Sequence, residues 1–154
     1  MLWEPGLAPT GALFEEAADH VVRKLGRAKP FPGSPLPDDR AAGVAALDDW
    51  AAGDVDWRGE LRRYYEEHIP VHVRPAAAVN STLRRLHASG TRLVWATPGP
   101  IEATDILLHH LGVARLVDEV VVAPSAASAA ARGAVVIEGV DALLALAGEQ
   151  AVAT

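Results

Sequence analysis

The chain predicts an α/β domain, a small parallel sheet flanked by helices, and three observations carry that expectation. Short apolar runs, Leu93-Val-Trp-Ala96, Val120-Val-Val-Ala123 and Ala134-Val-Val-Ile137, each stop abruptly at turn-forming residues, as strands buried on both faces do. Stretches with apolar residues at helical spacing separate them, and this alternation is that of a parallel sheet covered by helices. Half of the 154 residues are apolar, which is enough to bury the core of one domain with a small subdomain.

Taken in order, residues 2–7 are expected as a short first strand interrupted by Pro5 and Gly6, and 8–11 as a turn. A helix over 12–25 aligns Leu13, Ala17, Val21 and Leu25, with Thr10 as its N-terminal cap and Gly26 as its stop. Four prolines and a glycine between 27 and 37 exclude regular structure. Helices follow over 38–52, burying Val44, Leu47 and Trp50, and over 56–68, carrying Trp57, Leu61, Tyr64 and Tyr65 until Pro70 stops it. Trp50, Trp57 and the tyrosines are expected to pack this helical region, and Trp95 the sheet core.

An extended connector at 71–75 leads to a helix over 76–88 with Val79, Leu83 and Leu86 on one face, and Gly90 punctuates it before the strand 93–96. Thr97-Pro-Gly-Pro100 is the turn at that strand's carboxyl end, the edge of an open α/β sheet where ligands bind. A helix over 102–111 ends at Gly112 and is followed by the strand 120–123. A small-residue linker at 125–133, a strand at 134–137 and a short helix over 141–147 complete the chain.

The formal charge of −6 disfavours nucleic acid and anionic membranes as partners. The pairs Arg62-Arg63 and Arg84-Arg85 read as solvated helix faces. Cysteine is absent, which excludes disulfides, thiolate catalysis and cysteine-ligated zinc and fits a cytoplasmic location. The first residues carry no basic and then apolar leader, and no run of about 18 apolar residues marks a membrane span. Lys24 and Lys29 are the only lysines.

Residues 75–97, ending in Leu93-Val-Trp-Ala-Thr97, resemble the helix, "G-x-x-L" lead-in and second-motif strand of the haloacid dehalogenase-like (HAD) hydrolases. Glu102 to Gly112 is similar to the family's following "L-G" helix, and Val117-Asp-Glu-Val120 to its "F-D-x-V" strand entry. The family's first motif, D-x-D-G-T-L-F, is similar to Ala8-Pro-Thr-Gly-Ala-Leu-Phe14, in which Gly11, Leu13 and Phe14 coincide and both aspartates are missing. The resemblance implies a reduced HAD-like (Rossmannoid) core over 1–26 and 73–154, with 27–72 as a helical cap-like subdomain.

In such enzymes the first aspartate attacks, the second protonates the leaving group, a Ser or Thr and a Lys or Arg hold the phosphoryl oxygens, and further acids bind Mg²⁺. Laid on this chain, the resemblance puts Ala8 at the nucleophile and Thr10 at the acid/base. Thr97 and Gly99 stand as the phosphate- or anion-binding candidates, and Arg132 as the substitute for the missing lysine. Glu138 keeps one acid of the fourth motif and Gly139 replaces the other, so Glu138 and Asp141 are the weak metal candidates. Glu4 is the acid that could take over from the missing nucleophile.

Other constellations carry less. His68 and His72 have the spacing of a helical metal pair, but Pro70 between them is expected to break the helix that would align them. His109 and His110 are placed near a helix C-terminus, where the dipole accounts for them. No G-x-S-x-G elbow supports a serine hydrolase.

The expectation is a catalytically degenerate HAD-like protein without cofactor, acting as a binding, regulatory or assembly module with a protein partner or a second copy of itself. Exposed edges beside a short first strand motivate the self-association. The alternative is a HAD-like phosphatase with an atypical first motif and Mg²⁺, and a third reading is a helical adaptor working through residues 38–72.

Overall fold

A computed structural model describes residues 1–26, 39–133 and 135–153, with the side chains of 147 and 149–153 left aside. The α/β class expected from the sequence is observed. Strand β1 (Leu2–Trp3) pairs in parallel with β2 (Val94–Thr97), Leu2 opposite Trp95, and β2 pairs in parallel with β3 (Glu119–Val122), Val94 opposite Glu119. On its other side β1 meets Ile137 through a single parallel bridge from Leu2, reinforced by Trp3 N donating to Ile137 O at 3.0 Å and Ile137 N donating to Met1 O at 2.7 Å. The spatial order is therefore Ile137, β1, β2, β3.

The first strand is shorter than the expected 2–7. After Trp3 the chain turns directly into the one-turn helix α1 (Glu4–Leu7), because Pro5 stands at the start of a helix, where its fixed φ and missing N–H are harmless. Helix α1 presses on the loop at Glu138: a Cβ built on Gly6 would fall 1.5 Å from the Glu138 carbonyl oxygen, so only glycine allows this approach. The expected strand at 134–137 is reduced to the bridge at Ile137, with residue 134 outside the described residues.

Helices α2 (Gly11–Leu25), α3 (Arg40–Ala51), α5 (Ala77–Ala88) and α6 (Ile101–Leu111) lie close to their expected bounds. Asp39 caps α3 by accepting from Ala42 N at 3.2 Å. Thr10 stands at the N-cap position of α2 but makes no side-chain capping bond, because its hydroxyl is engaged by Arg40 instead.

Helix α4 (Trp57–His72) overturns the expected stop at Pro70 and the extended connector at 71–72. Pro70 falls in the last turn, where one missing intrahelical bond is tolerated, and buried Ile69 and Val73 anchor the turn, with Val73 N donating to Ile69 O at 2.9 Å. The small-residue linker also contains structure. Ser125 caps the short helix α7 (Ala126–Ala130) by accepting from Ser128 N at 3.1 Å, and the last helix, α8 (Val140–Ala153), is longer than expected.

The core joins both regions. Helix α4 packs on α2 and α6, and α5 on α8, so Leu13, Val21, Leu47, Trp57, Leu61, Leu83, Leu107 and Leu143 form one buried cluster with Trp95. Each such side chain contributes on the order of 1.5–3 kcal/mol by leaving water. Trp50, Trp57 and Tyr65 are buried among the helices, as the sequence predicts. The opposite sheet face is covered more thinly: Ala96, Ala123 and Ala129 of α7 meet there without bulk, flanked by half-buried Met1, Trp3, Val121 and Val136. The lower boundary of the expected cap-like region, 27–38, lies outside the described residues. No described helix is long and apolar enough to cross a membrane.

Candidate functional site

The carboxyl ends of β1 and β2 lie side by side, and each delivers one polar residue to the same buried spot. Glu4 follows β1 at the first position of α1, and Thr97 ends β2. Thr97 Oγ1 donates to Glu4 Oε2 at 3.0 Å. Thr104, one turn into α6, donates to Glu4 Oε1 at 2.9 Å, and the Trp95 indole Nε1 donates to the same oxygen at 3.1 Å.

A fourth donor comes from the helical region. Arg40, the first residue of α3, reaches in so that Nη1 donates to Glu4 Oε2 at 2.9 Å and Nη2 to Thr10 Oγ1 at 2.6 Å. A carboxylate offers about four acceptor sites, and those of Glu4 are filled by Arg40, Trp95, Thr97 and Thr104. Such saturation is what makes a buried charge tolerable, since an unpaired one would be expelled or neutralised. Below the site lies the Tyr65 phenol, which burial pushes well up from its ordinary range, with the nearby Arg40 charge acting against that shift.

The structure places the candidates of the sequence very differently. Ala8 is buried against an apolar hollow lined by Trp95, Leu83 and Val113, and the carboxylate at the end of β1 is that of Glu4. Thr97 is fully buried; its hydroxyl also accepts from Gly99 N at 3.1 Å, so the hydroxyl and the amide expected to cradle an anion are bonded to each other, and the hydroxyl to Glu4 as well. Thr10 joins the cluster through Arg40.

Arg132 stays at the surface and donates through Nη2 to Val122 O at 3.0 Å. Glu138 and Asp141 are exposed. Among the described residues no group of three His, Cys, Asp or Glu side chains could hold a metal ion. With the Glu4 oxygens occupied by four protein donors and the metal candidates Glu138 and Asp141 in solvent, the residues present do not fit the Mg²⁺ site that the resemblance implies.

Three members of the cluster escaped sequence reasoning: Arg40, Thr104 and the polar edge of Trp95. They stand 36, 100 and 91 residues from Glu4, so no local spacing signals them. The histidine pair is also differently used. His68 Nδ1 lies 2.9 Å from Tyr64 O and the ring stacks on Tyr64, while His72 Nε2 lies 2.8 Å from Glu16 Oε2. His110 Nε2 contacts Val73 O at 2.6 Å, and His109 Nδ1 contacts Asp105 O at 2.8 Å.

A second buried carboxylate, Glu60 of α4, is held between α2 and α4 by Lys24 Nζ at 2.8 Å, Arg63 Nη1 at 2.8 Å and His20 Nε2 at 3.1 Å. The Lys24 ammonium foremost keeps the Glu60 carboxyl below its ordinary value, against the opposing effect of burial. Arg58 ties α4 to α3 and α6, with Nη2 2.9 Å from Asp48 and Nη1 3.1 Å from Glu102, and its hydrogen bond lowers the Asp48 carboxyl in turn.

Comparison with known proteins adds little. No family model and no curated protein matches the chain. Among solved structures, a protein from Thermotoga maritima whose description provisionally assigns it as a beta-phosphoglucomutase is similar to 96% of this chain over 80% of its own, with 19% identity and a TM-score of 0.44. A likeness of that size identifies neither an activity nor a substrate.

Proposed function

We propose that this is a catalytically degenerate HAD-like protein, a binding, regulatory or assembly module whose former active-site pocket is filled by its own side chains. The observation that carries this reading is the bonding of Glu4: the carboxylate that follows β1 accepts from Arg40, Trp95, Thr97 and Thr104 at once. A nucleophile needs a free lone pair, and a metal ligand needs an oxygen that no protein donor occupies. The HAD-like part rests on the motif resemblance and on the parallel order of Ile137, β1, β2 and β3. Arg40 supplies the positive charge that a cation supplies in a catalytic member, and it does so from the cap-like helices.

The second reading, a HAD-like phosphatase with an atypical first motif, has one observation in its favour. Glu4 follows β1 and touches Thr97, which puts a carboxylate beside the second-motif hydroxyl. An assay with p-nitrophenyl phosphate and Mg²⁺ separates the two. The degenerate reading expects no turnover above buffer for the wild type and for Thr97→Val, whose fold is checked by circular dichroism. Wild-type turnover that disappears in both Glu4→Gln and Thr97→Val would establish the phosphatase.

A further inference from the structure

We propose that this protein self-associates through the outer edge of β3, two copies pairing antiparallel about a two-fold axis. The edge expected from the sequence to be open is that of the first strand, but β1 lies between β2 and Ile137 and is covered on both sides. The open edge is at the other end of the sheet. Among the described residues no strand pairs with the outer side of β3, none of its four residues is buried, and Val122 is 46% exposed. Glu119-Val-Val-Val122 has no proline or lysine and carries three successive β-branched apolar residues, so its protection against pairing is limited to its four-residue length, the Glu119 charge and the Arg132 bond to Val122 O.

The charges at its two ends select the occupant and its direction. Glu119 opens the strand, and Arg132 is held at its far end by the bond to Val122 O. When two identical strands pair antiparallel, the Glu119 end of each meets the Val122 end of the other, and each Arg132 arrives at the second copy's Glu119. Parallel pairing of the same edge would leave both acidic ends together and both basic ends together. Glu119 already pairs with exposed Arg92, and a carboxylate has acceptor sites for both guanidinium groups. The half-buried Val121, on the thinly covered sheet face, then continues into the same face of the second copy. This association is independent of whether the pocket at Glu4 is catalytic.

Sedimentation equilibrium on the full chain, from micromolar to sub-millimolar concentration, tests the pairing with the wild type, Glu119→Arg, Arg132→Glu and the double reversal. The wild type is expected to dimerise, each single reversal to weaken the dimer by about tenfold or more, and the double reversal to recover most of that loss. Hydrogen exchange on the wild type gives a readout free of folding effects, with the β3 amides becoming protected as concentration rises. A wild type that stays monomeric, a dimer indifferent to both single reversals, or β3 exchange independent of concentration overturns the proposal. None of these outcomes bears on the phosphomonoester assay.

Discussion

Arg40 Nη1 lies 2.9 Å from Glu4 Oε2, and the two side chains are only 11% and 3% exposed. The pair joins the first turn after β1 to the first residue of α3, so a charge from the helical region closes the carboxyl edge of the sheet. A buried pair of this kind contributes little net stability against an apolar replacement, but breaking it leaves an uncompensated charge.

Arg40→Met is therefore expected to destabilise the fold by about 3–5 kcal/mol in urea denaturation. Glu4→Gln with Arg40→Met should lose clearly less than the sum of the two single changes, since neither charge then remains. A loss below about 1 kcal/mol for Arg40→Met would mean the pair behaves as an exposed one.

Gly6→Ala sets a methyl group against the Glu138 carbonyl oxygen, 1.5 Å away in the present geometry. That oxygen is backbone and cannot swing aside, so α1 must lift from the loop that carries the Ile137 bridge. The expected cost is about 1–3 kcal/mol or more. Gly11→Ala, with nothing within 4 Å of the added carbon, serves as the control and should leave the melting temperature unchanged or raise it. Equal melting temperatures for the two variants would contradict the close approach.

Glu60 predicts how the fold responds to acid. Its carboxyl lies below the ordinary value chiefly because of Lys24, so it contributes stability above the unfolded-state value, and that contribution is lost as pH falls through the folded-state value. Glu60→Gln should be less stable than the wild type at neutral pH. Its unfolding free energy should then decline less steeply than the wild type's between about pH 5 and 3. Parallel pH profiles for the two proteins would show that Glu60 is not stabilised by its partners Lys24, Arg63 and His20.

Much of the candidate site was illegible in one dimension for a definite reason. Glu4 read as an interior strand position, because Pro5 and Gly6 look like defects in a strand as readily as the start of a helix. Thr97 was recognisable at a strand end before a turn, but the chain does not say that its hydroxyl is bonded on both sides. The long-range donors Arg40 and Thr104 are ordinary helix residues by any local measure.

By itself the sequence determined the α/β alternation, the central strand at 93–97 and the amphipathic helices around it, since apolar periodicity and glycine and proline punctuation act over a few residues. Only the tertiary structure decided that α4 continues through Pro70, that Ile137 contributes a bridge rather than a full strand, and that Glu4 rather than Ala8 stands at the end of β1. These outcomes depend on which buried groups meet across distant parts of the chain. Ile69 and Val73 hold the turn around Pro70, Gly6 lets α1 reach Glu138, and Arg40 closes the pocket over Glu4.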